Sequence, residues 1–194
     1  MTTLSEQQAV VEWTKFYTKF EELGLAKHYD MDKLKEEILS SPCSINEDSG
    51  VAYKGALIMH INMVMALAQR IAKMISGTFQ IEESSLLKVC AIMHLAKRYM
   101  YEESDSDWEI KRGYPYRFKE NEGTLKCGER SVLEAMNNGI KFSVAEFEAV
   151  KALDEDENTG KKAFQDIMVM VARHANDLAY AIERERYKKL KAQQ

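Results

Sequence analysis

Residues 86–98 read Leu-Leu-Lys-Val-Cys-Ala-Ile-Met-His-Leu-Ala-Lys-Arg, an apolar stretch that ends in a lone histidine and a basic pair. Apolar residues cover more than half of the surface that this stretch would have as a helix, which is typical of a buried helix. We place that helix at residues 82–99. A second such stretch, residues 55–76, stops at Gly77, a residue type that often follows a helix. These two helices are predicted to form the centre of the fold.

The flanking segments carry the signals of further helices. Three predicted helices begin at residues whose side chains cap a helix N-terminus, namely Ser5 with Gln8, Asp30, and Ser143 with Glu146. Another helix resumes near residue 128. The last predicted helix runs over residues 162–189, after an acidic loop at residues 154–160.

Residues 101–126 interrupt this helical pattern. The acid-rich residues 102–107 are typical of a solvated turn, and aromatic and charged residues then alternate over residues 108–118 at the period of two expected of strands. The sequence therefore predicts an all-α helical bundle with a short β-hairpin or irregular excursion near residues 104–126.

The chain has 194 residues, of which 45% are apolar, with only two Pro and nine Gly. That length fits one domain. We expect residues 1–50 to form a helical segment that packs on the core, and residues 51–194 to form the main helical domain, the two together making one unit.

Charge and cysteine content exclude several classes of protein. The net charge is −4, with 27 basic and 31 acidic residues interspersed, whereas a general nucleic-acid coat needs a basic face. Cys43, Cys90 and Cys127 lack CxxC spacing, so neither a disulfide framework nor a thiolate zinc site is expected. The sequence shows neither a secretory leader nor an 18-residue apolar run, so we expect a cytoplasmic protein without a membrane span.

Three residues that can ligate metals interrupt the predicted core helices. His60, His94 and Asp177 each stand in an apolar run, where a polar side chain needs a partner or a cleft. If they converge, two imidazoles and a carboxylate suit a first-row divalent ion. The alternative is three polar residues that are satisfied separately in or beside the core.

The order of four segments resembles the HD-domain superfamily of metal-dependent phosphohydrolases, in particular its small bacterial and phage members. The segments are residues 55–60, 87–97, 113–131 and 174–177. The resemblance covers about residues 50–185 and implies a helical bundle acting on nucleotides with a divalent metal. It implies that His60, His94 and Asp177 correspond to metal ligands and that Lys97 contacts phosphate. Further ligand contacts would come from Arg98, Arg117, Glu129 and Arg130.

The chain departs from that family at three ligand positions. Leu95 stands where the family has the Asp of its His-Asp pair, Cys127 stands where members have a His, and Leu153 lies in a stretch that offers no further His. Losing the carboxylate leaves too little negative charge to hold a hard cation and activate its water. Cys127 could ligate a softer ion such as zinc or pack as a small apolar residue.

Two basic regions have both a functional and a structural interpretation. Lys97 and Arg98 could bind a phosphate, or could interact with the negative end of their helix. Basic and aromatic residues also alternate in the excursion, at Arg112, Tyr114, Tyr116, Arg117 and Phe118. This alternation is typical of surfaces on which bases stack, or of a folded lid that packs on itself.

These departures lead us to expect a catalytically impaired protein of the HD type, without a cofactor, that binds a protein partner or a nucleotide-like ligand. One alternative is an active phosphohydrolase with an altered divalent-metal site. The other is a phage accessory or assembly protein, for which the basic C-terminal residues 184–191 would supply a contact.

Overall fold

Helices dominate the computed structural model, which describes residues 4–120, 124–152 and 166–193. The predicted all-α class with a short β-hairpin is confirmed. The helices are α1 (Glu6–Glu22), α2 (Met31–Ser40), α3 (Ala56–Ile75), α4 (Glu83–Ile92), α5 (Lys97–Met100), α6 (Asp107–Lys111), α7 (Cys127–Asn137), α8 (Val144–Lys151) and α9 (Ile167–Lys191), the strands are β1 (Tyr101–Glu103) and β2 (Tyr116–Phe118), and 3₁₀ turns occupy Ala26–His28 and Glu47–Ser49.

The capping residues identified in the sequence start the helices as predicted. The Ser5 hydroxyl accepts from the Gln8 amide at 3.2 Å, and the Gln8 side chain accepts from the Ser5 amide at 3.1 Å. Asp30 caps α2 in the same way, and Ser143 with Glu146 forms a capping box at α8. Each such cap stabilises its helix by about 1 kcal/mol.

Helix α3 lies at the centre and packs against α1, α2, α4 and α9. Its buried face is continuous with one hydrophobic cluster that also includes Phe16 and Phe20 of α1 and Leu34 and Ile38 of α2. Residues from the N-terminal 50 positions therefore contribute to the same core as the later helices.

The predicted helix over residues 82–99 is wrong in one respect, because it breaks after Ile92. The backbone turns through residues 93–96 with three-residue hydrogen bonds, such as Leu95 N to Ile92 O at 2.9 Å. The Ser131 hydroxyl of α7 accepts from the Ala96 amide at 3.0 Å and so satisfies a group that the break frees. A contact from a distant segment thus supports the break, and neither Pro nor Gly marks it in the sequence.

The hairpin differs from the predicted one in its strands. β1 and β2 pair antiparallel with Glu102 opposite Arg117, so a strand lies where an acidic turn was expected. Residues 108–111, where the alternation favoured a strand or an irregular excursion, belong to α6 instead. The Ser106 hydroxyl caps this helix by accepting from the Glu109 amide at 3.3 Å, and this local signal outweighs the alternation of aromatic and charged residues.

The last helix is described from Ile167, where Asp166 caps it by accepting from the Met168 amide at 2.8 Å. The predicted acidic loop at residues 154–160 and the predicted helix start at residue 162 lie outside the described residues, as does Leu153. Within the part that the structure describes, no helix has the length and apolar character needed to cross a membrane.

Candidate functional site

Two imidazoles and one amide meet in the interior between α3, α9 and the turn after α4. His60 lies on α3, His94 lies in the turn, and Asn176 lies on α9; all three are buried. The Nε2 atoms of the two histidines are 3.2 Å apart, and Asn176 Oδ1 lies 3.1 Å from His60 Nε2 and 2.8 Å from His94 Nε2. The structure therefore brings together the two histidines that the sequence singled out.

Asp177, the third residue expected at this position, does not join them. Its side chain is exposed, and the buried residue that contacts both imidazoles is its neighbour Asn176. Successive residues of a helix point about 100° apart, so one face cannot present both. The buried face of α9 instead carries Asn176, Tyr180 and Glu183, which are spaced by four and three residues.

Glu183 orients the first imidazole. Its Oε2 lies 2.8 Å from His60 Nδ1, and the Glu183 side chain is 8% exposed. Since a carboxylate only accepts, His60 carries its proton on Nδ1 and donates to Glu183. Asn176 Oδ1 accepts from the Nε2–H of His94 at 2.8 Å, and His60 Nε2 lies 3.1 Å from the same oxygen. The contacts thus place a proton on His60 Nδ1 and on His94 Nε2.

His94 is held in its neutral form. Burial lowers the pKa of its imidazole well below the usual value, and the charge of Lys97 and the proximity of His60 lower it further. With Nε2 protonated, Nδ1 is left as a buried lone pair without a hydrogen-bond partner in the described part of the chain. An unpaired nitrogen in a neutral ring costs less free energy than a buried imidazolium without a partner would.

Lys97 belongs to the same buried group, but its ammonium is already bound by the protein. Lys97 Nζ donates to the Cys43 carbonyl at 2.8 Å and to the Tyr180 hydroxyl at 2.6 Å. The Tyr180 ring lies against His60, with 4.2 Å between ring centroids, and links the ammonium to the histidine pair. Lys97 therefore acts as a structural cation here, and its predicted contact with a phosphate finds no support.

Leu95, the residue that the sequence resemblance sets against the paired Asp of HD-domain proteins, is fully buried in the hydrophobic core. Its side chain offers no ligand atom.

The other predicted ligand-binding cations are paired with carboxylates. Arg98 is mostly buried and donates to Glu37 at 2.7 Å and to Glu134 through both terminal nitrogens. Arg117 donates to Glu102 and to Asp105, each at 2.8 Å, across the hairpin. These contacts stabilise the packing of α5 and the hairpin, although Arg117 also lines a surface cleft beside Trp108 and Arg112.

The remaining predicted residues lie around the start of α7. Glu129 accepts from the Lys126 amide at 3.1 Å, and Arg130 Nε donates to the Leu125 carbonyl at 2.8 Å. The sulfur of Cys127 lies 3.7 Å from the Met93 carbonyl. These contacts hold the N-terminus of the helix and show no convergence with the imidazoles.

The three donor atoms meet one requirement of a divalent ion and fail another. Separations of about 3 Å are those of ligands about 2.1 Å from one ion, so the spacing alone is suitable. The charge is not, because the third donor is a neutral amide and Glu183 contacts the group through His60. His94 Nδ1 also lacks the outer partner that ligating histidines have. The residues present do not fit the hard cation of a phosphohydrolase.

Among residues 4–120, 124–152 and 166–193, no group of three or more His, Cys, Asp or Glu side chains is placed to hold a metal ion.

Four members of this group were not predicted from the sequence, namely Cys43, Asn176, Tyr180 and Glu183. The spacing of the last three on α9 was a usable signal, because it repeats the helical period. The participation of Cys43 depends on a long-range contact and had no local signal.

Comparisons of the chain with protein-family models, with curated proteins and with solved structures find no match. The likeness to HD-domain proteins rests on the four sequence segments alone.

Proposed function

We propose that the chain is a catalytically impaired protein of the HD type, which binds a ligand or a protein partner and does not hydrolyse phosphate esters. The main support is the composition of the histidine group, in which the neutral amide of Asn176 is the third donor. Without a carboxylate in direct contact, a hard cation lacks the charge that holds it and that lowers the pKa of its water.

The pairing of the cations favours a ligand without phosphate over a nucleotide-like one. Lys97 is bound to Cys43 and Tyr180, and Arg98 and Arg117 are paired with carboxylates. The charges of Arg98 and Arg117 are already offset by carboxylates, and Lys97 is buried with two hydrogen bonds, so a phosphate would gain less at these side chains than at free cations. A ligand without phosphate does not depend on these side chains.

The test measures metal content and hydrolysis together on the full chain. The purified protein is loaded with Mn²⁺, dialysed, analysed for bound metal, and assayed with nucleoside monophosphates and p-nitrophenyl phosphate. We expect neither stoichiometric metal nor turnover. Stoichiometric metal with turnover that is lost in His60→Ala would overturn the proposal.

Two variants test the argument that the histidine group lacks the negative charge that a divalent ion needs. Leu95→Asp combined with Asn176→Asp supplies two carboxylates, and Leu95→Asn alone supplies the shape of one of them without its charge. We expect the double variant to gain Mn²⁺ and to melt at higher temperature in its presence, because a ligand that binds the folded state stabilises it. Failure of the double variant to bind Mn²⁺, while it remains folded, would contradict the charge argument.

A further inference from the structure

A cavity of about 230 Å³ opens beside the histidine group, between the start of α1, the 3₁₀ turn Glu47–Ser49, α3 and the C-terminal half of α9. Most of its lining is apolar and includes Leu4, Ala52, Met59, Met63 and Leu190. Concave, largely apolar cavities with a few polar groups are typical of small-molecule sites. Its volume suits a molecule of few heavy atoms.

Glu183 forms part of the cavity wall and keeps one oxygen unpaired. Its Oε2 binds His60, whereas its Oε1 has no hydrogen-bond partner in the described residues. The side chain is 8% exposed, so water solvates it poorly. An unpaired oxygen on a carboxylate that is largely withdrawn from water is stabilised by a hydrogen-bond donor, and most of all by a cationic one.

A second carboxylate lines the same cavity. Glu47 is half-buried, lines the cavity beside Tyr187, and forms no ion pair with any residue that the structure describes. Burial and then the charge of Glu183 raise the pKa of Tyr53, another lining residue, to about 12. Arg186 also lines it but is exposed, so solvent screens its charge.

We propose that this cavity binds a small organic cation, an ammonium group that carries an apolar chain. The ammonium donates to Glu183 Oε1, the Tyr53 and Tyr187 rings stand nearby for cation–π contact, and the chain packs against Met59 and Met63. This assignment rests on the proposed function, in which the protein binds a ligand without hydrolysing it.

The test compares three probes of equal chain length, hexylammonium, hexan-1-ol and hexanoate, by titration calorimetry at pH 7 on the full chain. We expect hexylammonium to bind one to one with a Kd on the order of 1 mM, at least about tenfold more tightly than either other probe. Tighter binding of hexanoate would mean that Arg186 selects the ligand and would overturn the proposal. Absence of binding by all three up to about 10 mM would also overturn it.

Three variants locate the binding. Glu47→Gln removes a charge and keeps the size of the side chain, and Met63→Trp fills the cavity; both are expected to weaken hexylammonium binding about tenfold. Glu36→Gln, a matched change at an exposed position of α2, is expected to leave it unchanged. Binding that Met63→Trp leaves intact would place the cation elsewhere. Hydrolysis assays on the same samples test the proposed function separately, since turnover would contradict that proposal whether or not the cation binds.

Discussion

Replacing Tyr180 with Phe removes one oxygen from the buried group and keeps the ring. That oxygen accepts from Lys97 Nζ at 2.6 Å and lies 3.4 Å from the Cys43 sulfur. The ring would remain against His60 at 4.2 Å between centroids. After the change, the ammonium retains the Cys43 carbonyl at 2.8 Å, and the nearest other acceptor is the Cys43 sulfur at 3.6 Å, a weak one.

The size of the effect follows from the burial of Lys97, which is 8% exposed. Water cannot readily replace the lost acceptor, and a hydrogen bond to a charged group contributes roughly 1.5–3 kcal/mol to stability. We therefore expect Tyr180→Phe to lower the free energy of unfolding by about 2 kcal/mol. For a chain of this length, the melting temperature should fall by roughly 4–8 °C.

Urea unfolding followed by circular dichroism at 222 nm measures this change. Tyr17→Phe is the control, because the Tyr17 hydroxyl contacts only the exposed Glu21 side chain of the same helix, and we expect it to unfold as the native chain does. A loss below about 0.5 kcal/mol for Tyr180→Phe, or one equal to that of the control, would refute the structural role of the Lys97 contact.

Two other predictions concern pH and packing. Because the pKa of His94 is depressed in the folded state, the unfolded chain binds more protons at mildly acidic pH, and stability should fall as the pH drops below about 6.5, by at most about 1.4 kcal/mol per unit from this group. Unfolding free energies between about pH 5 and 7.5 should show this slope in the native chain and in the surface variant His174→Gln, but not in His94→Gln; an unchanged slope in the latter would contradict the assignment. Gly50→Ala should destabilise by more than about 1 kcal/mol, because φ is +80° and the new Cβ would lie 2.6 Å from the Glu183 carbonyl oxygen. Thermal melts beside Gly77→Ala, where a Cβ meets nothing within 4 Å, test this, and equal melting temperatures would refute it.

Features of the fold that depend on neighbouring residues could be predicted from the sequence. The caps at Ser5, Asp30 and Ser143 each join residues three positions apart, so a short stretch of sequence contains both partners. The break after Ile92 could not be predicted, because it depends on a contact between distant segments. The Ser131 hydroxyl accepts from the Ala96 amide and also lies 3.4 Å from the carbonyl of Met93, which is 38 positions away in the sequence.

The histidine pair was predicted, but the rotation of α9 was not. Leu178, a large apolar residue, is 44% exposed, whereas Ala172, Ala175 and Ala179 are fully buried. Small residues allow two helices to approach closely, and the face of α9 that packs inward carries these three alanines beside larger side chains such as Met168. That rotation turns Asn176 inward and Asp177 outward, and hydrophobicity alone gives no reason to choose it.

The alanines on α9 also limit how this protein can change. Ala179 lies between Asn176 and Glu183 on the face that meets α3, three and four residues from them. A longer side chain there would push the two helices apart, and three hydrogen-bonding atoms separated by about 3 Å would lose contact together. Replacing Ala179, whose side chain is a single methyl group, with a larger residue would therefore disrupt these polar contacts as much as replacing a histidine would.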